Sequence, residues 1–199
     1  MTRRAAALVA VAAALVGGAC APRYTGGARA LSPATLAHEP GWSQVPTPAV
    51  RQRTEADCGA AALAMTVARW RPTLDVDAIT RARPVPPGGL RLGDLRDLAR
   101  AAGLAAFAVA GDQALLRYEL GRGRAVVVGL YRPYGARAVA HYEVVVGVHA
   151  DGRVATRDPA DAGLRVRTWA ALRAEWLPAG APALVVLGDA VTTAVAGSP

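Results

Sequence analysis

Hydrophobic and polar positions along the chain predict one folded domain over residues 50–188. An alanine-rich run over 58–70 predicts a helix, because alanine has the highest intrinsic helix propensity. Leucines at three-residue intervals over 92–98 predict a second helix with one apolar face. A run over 141–147 that is rich in β-branched residues predicts a strand, and a second strand over 153–157 follows after a turn.

The first twenty residues have the pattern of an export signal. A short basic start, 1–4, precedes an apolar run over 5–16, which is shorter than the ~20 residues needed to span a bilayer. Small residues then end at Cys20 and resemble the bacterial lipoprotein signal, although Gly17 stands where such signals usually carry leucine. We expect a signal peptide over 1–19, a lipid on Cys20 and an extracytoplasmic protein. The alternative, an ordinary secretory signal, also exports the chain.

Two segments outside the domain are expected to be flexible. Residues 20–49 are rich in Pro, Gly, Ser and Thr without a sustained period, and this composition predicts a tether to the lipid anchor. The Gly26-Gly27 pair within it is interpreted as part of this linker and not as a site of self-cleavage. Residues 189–199 form a tail of small residues.

Composition and charge narrow the function classes. The chain is 53% hydrophobic and 19% charged, which excludes a wholly disordered protein. The net charge of +8 comes from arginines that are scattered singly, so nucleic acid is not expected as a partner, whereas an acidic lipid surface would attract the chain weakly. Neither a Cys/His spacing typical of zinc nor a carboxylate cluster for calcium or magnesium occurs, so no metal or cofactor is expected.

The cysteine count draws attention to Cys58. If Cys20 carries lipid, Cys58 is the only thiol of the mature chain, and an idle thiol is unusual in an exported protein. Asp57 is a good N-cap residue, which would place Cys58 in the first helical turn, where the helix dipole stabilises a thiolate. Cys58 is therefore a candidate nucleophile. A buried structural cysteine or a Cys20–Cys58 bridge is the alternative.

A thiolate nucleophile needs a base, and the chain has three histidines. His38 lies in the predicted tether, and His149 is expected to be a solvated residue at the hairpin turn. His141 opens the predicted strand, and a chain reversal near residue 149 would set it opposite Asp158. Asp158 is then the natural carboxylate to orient the imidazole.

These residues resemble three motifs of the double-glycine leader peptidases, which are papain-like cysteine peptidases that process bacteriocin precursors, often within an ABC exporter. The first motif is a glutamine, four residues and Asp-Cys-Gly, here Gln52 and 57–59. The second is a histidine, an aromatic and an apolar strand ending in glycine, here 141–147. The third is Asp-Pro-Ala, here 158–160. The likeness covers nearly all of 50–188 in the same order.

The resemblance implies an α+β papain-like fold, with the nucleophile helix packed on an antiparallel sheet. Cys58 would be the nucleophile, His141 the base and acid, and Asp158 the orienting group. Gln52 would supply its side-chain amide, together with the Cys58 backbone N–H, to an oxyanion hole. The implied substrate is a peptide cut after Gly-Gly or other small residues. An export system is a partner that the resemblance suggests.

Two departures from the family pattern leave other functions open. Glu143 stands where an apolar residue is commoner, and it either adds negative potential near His141 or reaches solvent. Within the 199 residues no transporter domain or other membrane-spanning segment follows. The alternatives are a catalytically silent peptide-binding module on the same fold, another papain-like enzyme such as a transglutaminase or amidase, and a structural lipoprotein with an unreactive Cys58.

Overall fold

One antiparallel sheet of eight strands organises the part of the chain that the computed structural model describes, residues 23–189. Seven strands follow the order β1-β7-β6-β5-β4-β8-β3, and β2 pairs with β5 off this path. The predicted signal peptide, Cys20 and residues 190–199 lie outside the described residues. The strands are β1 Arg29–Ala30, β2 Trp42–Gln44, β3 Leu104–Ala110, β4 Val126–Tyr134, β5 Arg137–His149, β6 Arg153–Asp158, β7 Gly163–Thr168 and β8 Pro182–Asp189.

Helices pack against this sheet and form the second component of the predicted α+β fold, which is confirmed. None of the helices in residues 23–189 is long and apolar enough to cross a lipid bilayer. Their bounds are α1 Pro33–His38, α2 Cys58–Val67, α3 Val76–Ala82, α4 Leu92–Ala101, α5 Gln113–Gly121 and α6 Trp169–Trp176, with short 3₁₀ turns at Glu55–Asp57 and Leu177–Ala179.

Helix α2 runs through the interior of the protein. All ten of its residues are buried, and it packs against β5 and α4. Small side chains at its start let neighbouring elements approach closely, since a Cβ added at Gly59 would lie 3.2 Å from the Tyr142 ring of β5. The alanine-rich sequence therefore serves both helix propensity and close packing. Helix α4 buries Leu95, Leu98 and Ala99, as its leucine spacing predicts.

The hairpin of β5 and β6 forms as predicted, but its register differs. The turn lies between His149 and Arg153, and Gly152 adopts a φ of +93° that favours glycine. Val144 pairs with Arg157, two residues away from the register that sets His141 directly opposite Asp158, and a bulge interrupts the pairing before Gly147. A shift of two residues keeps every side chain on the same face of the sheet.

The N-terminal segment is part of the fold, and the prediction of an unstructured tether is wrong for residues 29–45. Strand β1 pairs with β7, and β2 pairs with β5. Leu36 and Val45 are buried in the main hydrophobic core. Apolar residues are single and irregularly spaced here, so periodicity could not reveal contacts that are made only with distant strands. The folded part also extends one residue further than expected, because β8 includes Asp189.

The Gly26-Gly27 pair lies close against neighbouring side chains and does not behave as a linker in this structure. A Cβ added at Gly27 would overlap the Ala171 side chain of α6, and one added at Gly26 would overlap Tyr24 and Glu175. The backbone of the N-terminal segment therefore approaches α6 at a distance that only glycine allows.

Replacing Gly27 tests this packing. We expect Gly27→Ala to lower the free energy of unfolding by about 1–3 kcal/mol, because the added methyl group overlaps the Ala171 side chain and forces the segment away from α6. Gly121→Ala is the matched control, since a Cβ there meets nothing within 4 Å. Urea unfolding measures both variants, and equal stability of the two would contradict the docking of this segment on α6.

Candidate active site

Cys58 is the first residue of α2 and follows the 3₁₀ turn Glu55–Asp57. The sequence predicts that the side chain of Asp57 caps α2, and this prediction is wrong. The Asp57 carboxylate instead accepts a hydrogen bond from the Thr54 N–H at 3.2 Å. The turn extends the helical path backwards, so the capping interaction is made one turn earlier. Cys58 nevertheless stands at the start of an α-helix, and it is 7% exposed.

The pKa of the Cys58 thiol lies below its usual value. Burial raises this pKa, but hydrogen bonding and charge interaction with His141 outweigh it. The backbone N–H groups of Tyr142 and Gly59 lower it further. These contacts all favour the charged form of the sulfur, which is the nucleophilic form.

His141 connects the thiol to a carboxylate. Its Nε2 atom lies 2.8 Å from Oδ1 of Asp158, which leaves Nδ1 available to the sulfur. Burial lowers the pKa of His141, but the hydrogen bonds and charges of Asp158 and Cys58 raise it to about 9. The imidazolium is therefore stabilised between two groups that carry negative charge when ionised.

Asp158 lies at the end of β6 and is almost fully buried. In addition to His141, its Oδ1 accepts the Ala160 N–H at 3.0 Å, and its Oδ2 accepts from the Arg132 guanidinium at 2.7 Å. Burial raises the pKa of Asp158, yet these partners, His141 first, hold it well below its usual range. Asp158 thus remains a carboxylate at any pH at which the protein is expected to work.

Gln52 lies beside these residues without an observed contact to the thiol. Its backbone N–H donates to the Pro159 carbonyl at 2.8 Å, which ties the first motif to the third. Its side-chain Nε2 donates to the Thr54 carbonyl at 2.9 Å, while the buried Oε1 has no hydrogen-bond partner. Because a primary amide carries two hydrogens, one N–H remains available for another acceptor.

Glu143 is 0% exposed, so the option that it reaches solvent is wrong, and an electrostatic role near His141 stays a prediction. Its carboxylate accepts from Thr156 and from Arg167. Three side chains could each offer one metal-ligand atom here, and these atoms lie within 4.8 Å of one another, a spacing that would suit a metal ion. The residues are His141, Glu143 and Asp158. Both carboxylates already accept from an arginine, however, and that positive charge disfavours a cation.

The other two histidines lie away from this site. His149 is not a solvated turn residue: its Nε2 lies 2.9 Å from the Pro40 carbonyl, and its ring packs edge-on against Trp42. The folding of the N-terminal segment onto β5 is the reason. His38 is the exposed last residue of α1.

A cleft of about 220 Å³ opens beside Cys58 and His141. Gly88, Gly89 and Gly129 contribute to its wall, and so does Tyr142. A second cleft of about 390 Å³ shares His141 with the first and is lined in addition by Gln52, Glu55 and Arg132 among others. An extended chain could therefore pass the thiol from one cleft to the other.

Sequence reasoning missed Arg132, which donates to Asp158. The signal that could have revealed it lies in β4, where Arg132 shares the inward face with Val128 and Leu130. An arginine on the buried face of a strand requires a buried acceptor, since an unpaired charge there is costly.

The fold and the adjacent thiol, imidazole and carboxylate define the class of papain-like cysteine peptidase domains. Within that class, residues 46–177 match the model of the Peptidase C39 family. The match covers most of the chain, and the protein belongs to this family. Double-glycine peptidases are its members, so the resemblance noted in the sequence is confirmed at the level of the family.

Solved structures share the fold at low sequence identity. A double glycine motif protease from an AMS/PCAT transporter, solved with a leader peptide, has a TM-score of 0.55 and 18% identity, covering 72% of this chain and 92% of that chain. The peptidase domain of Streptococcus ComA, a bifunctional ABC transporter, has a TM-score of 0.57 and 20% identity, covering 70% of this chain and 97% of that chain. A C39-like peptidase from Bacillus anthracis has a TM-score of 0.58 and 16% identity, covering 74% of this chain and 96% of that chain. No curated protein matches the chain significantly.

Proposed function

We propose that this protein is an exported cysteine peptidase that cleaves peptide bonds with Cys58, His141 and Asp158. The observation that carries the proposal is the continuous contact from a helix-start thiol to an imidazole and on to a buried carboxylate, with the imidazole–carboxylate distance at 2.8 Å. A silent peptide-binding module on the same fold would have no use for a lowered thiol pKa or for a His141 pKa that is raised to about 9.

The proposed reaction has two steps. The Cys58 thiolate attacks the carbonyl carbon of the scissile bond, the C–N bond breaks, and the His141 imidazolium gives its proton to the leaving amine. The neutral His141 then takes a proton from water, and the hydroxide cleaves the C–S bond of the thioester. Thiolate and imidazolium are restored. The Gln52 amide and the Cys58 N–H are the proposed donors to the oxyanion in both steps.

A peptide with small residues before the cleaved bond is the proposed substrate. Three glycines leave part of the wall of the cleft beside Cys58 without side chains, and the Tyr142 ring lies over one of them, since a Cβ at Gly129 would lie 3.1 Å from that ring. The AMS/PCAT relative was solved with a leader peptide, which supports a peptide as the ligand class. Gly-Gly or another pair of small residues would fit such a cleft.

The proposed location is extracytoplasmic, with a lipid on Cys20 as the membrane anchor. This part of the proposal rests on the signal pattern over residues 1–20. The test is Cys20→Ala expressed in a bacterial host, which should move the protein from the membrane fraction to the soluble fraction. An unchanged distribution and an unmodified Cys20 in the intact mass would contradict the anchor.

Hydrolysis of a peptide with an internal Gly-Gly pair tests the activity. We expect cleavage by the wild type and none by Cys58→Ala, because the nucleophile is removed while the small side chain fits the helix start. Mass spectrometry of the products gives the position of the cut. Incorporation of a primary amine without hydrolysis would indicate a transglutaminase instead, and equal product from both proteins would contradict the proposal.

A further inference from the structure

Arg132 is the nearest arginine to Asp158, and no motif accounts for it. It lies on β4, is 6% exposed, and donates from one terminal nitrogen to Oδ2 of Asp158 at 2.7 Å. Its Nε lies 3.8 Å from the Glu143 carboxylate. The guanidinium therefore lies between two buried carboxylates, both of which are close to His141.

The two oxygens of Asp158 have separate partners. Oδ1 faces His141 and the Ala160 N–H, whereas Oδ2 faces Arg132. A carboxylate that is held at both oxygens cannot rotate about its last bond without losing a hydrogen bond. Arg132 thereby fixes the oxygen that faces the imidazole.

Arg132 also separates like charges. Asp158 and Glu143 each offer an oxygen within 4.8 Å of the other, in a region where burial strengthens their repulsion. Arg165 reaches Asp158 only at 3.6 Å, and Arg167 faces Glu143 and Glu175 instead. The charged or titratable groups that face Asp158 are Arg132 from β4, His141 and Glu143 from β5, and Arg165 from β7, with Cys58 of α2 beyond His141.

The outer side of Arg132 is covered by aromatic rings. Its guanidinium carbon lies 4.6 Å from the Tyr24 ring centroid and 5.8 Å from that of Tyr134. Tyr24 belongs to the N-terminal segment, outside the residues matched by the family model, and its hydroxyl bonds to Glu175. Cation–π contact with these rings limits the movement of the guanidinium.

We propose that Arg132 is a positioning residue of the active site, which holds Asp158 in the orientation and charge state that keeps His141 protonated beside Cys58. The proposal rests on the proposed function, in that it assumes the Cys58–His141 pair. Without the guanidinium, Oδ2 of Asp158 loses its hydrogen bond and keeps only the more distant Arg165 at 3.6 Å, whereas Glu143 keeps Arg167, so Asp158 is the carboxylate that turns away and is more easily protonated. A protonated Asp158 no longer stabilises the imidazolium, so the thiolate forms only at higher pH.

The test is the rate of Cys58 alkylation by iodoacetamide as a function of pH on the purified full chain. Mass spectrometry of the peptide that contains Cys58 follows the reaction separately from Cys20. We expect Arg132→Met and Arg132→Gln to react about 10-fold more slowly than the wild type at pH 6, because the reactivity midpoint moves up by about one pH unit. Arg132→Lys keeps the charge without the planar fork and should recover part of this loss.

The control is Arg124→Met, which removes an arginine from another largely buried ion pair, with Glu119, away from the site. Its alkylation profile should equal that of the wild type even if its unfolding midpoint falls. Thermal unfolding selects the variants at position 132 that fold, and Arg132→Lys keeps the test decisive if the neutral variants do not. If every folded variant at position 132 shows the wild-type pH midpoint of Cys58 alkylation, the proposal is overturned.

A failure of the proposed function has a different signature. If the wild type itself shows no reactivity below pH 7 that depends on His141, the Cys58–His141 pair is not activated, and the function falls together with the inference. If that reactivity is present in the wild type and is unchanged by loss of Arg132, only the positioning role fails.

Discussion

At pH 6, alkylation of Cys58 by iodoacetamide should be about 100-fold slower or more in His141→Ala than in the wild type. Only the thiolate reacts, and an ordinary thiol with a pKa near 8.5 is less than about 1% ionised at that pH. In the wild type His141 lowers the pKa of Cys58 by hydrogen bonding and charge. Removal of the imidazole leaves burial as the largest influence, and burial raises this pKa.

The matched control for this measurement is His149→Ala, because that imidazole contacts Pro40 and Trp42 and not the thiol. Its profile should superimpose on that of the wild type. A wild-type thiol that titrates near pH 8.5 and is indifferent to His141 would argue against the enzyme. The silent peptide-binding module would then be the better interpretation of the fold.

Loss of Asp158 should lower the rate of peptide cleavage by about 10²- to 10⁴-fold at pH 7. Asp158→Ala removes both the hydrogen bond that orients His141 and the negative charge that stabilises its protonated form. Burial, which lowers the pKa of His141, is then opposed by Cys58 alone. Asp158→Asn keeps an acceptor for Nε2 without the charge, so its loss should be smaller.

The pH dependence gives the sign of this effect. The pKa of His141 is raised from 6.5 to about 9 in the folded protein, so its protonation contributes stability that is fully present below pH 6.5 and is lost as the pH rises through 9. In Asp158→Ala the imidazolium should deprotonate at lower pH, and this contribution should shrink. Cleavage by the wild type should fall above about pH 9, because the acid that protonates the leaving amine is lost.

An NMR titration of the His141 ring protons measures the change directly. Asp97→Ala is the control, since this carboxylate of α4 pairs with Arg96 and touches neither His141 nor Asp158. Its His141 titration should match the wild type. Identical His141 titrations in Asp158→Ala and the wild type would refute the role assigned to Asp158.

Local sequence was sufficient to predict the elements that carry the candidate site. Cys58 at a helix start and His141 on a strand follow from helix propensity and from β-branched content. The hairpin also brought Asp158 near His141, although the pairing beyond the bulge differs by two residues from the predicted register. The prediction survived because a two-residue shift preserves the face of the strand, whereas a one-residue shift would have turned Asp158 away.

The sequence failed where contacts are made between distant segments. Residues 29–45 have no period, yet β1 and β2 fold onto strands more than 100 residues later. The sequence could not decide whether Glu143 reaches solvent or lies near the imidazole, because its partners Thr156 and Arg167 come from two other strands. Such pairings depend on which strands become neighbours, and local pattern carries no information about that.

The sequence by itself thus determined the family, the α+β class and the three residue types of the candidate site, because motif spacing and local propensity are properties of short segments. Only the tertiary structure decided what surrounds them. It joined Arg132 to Asp158 across the sheet and covered the guanidinium with Tyr24 from the opposite end of the chain. The charge state of a buried group depends on every charge packed around it, and those neighbours are defined only when the strands have assembled.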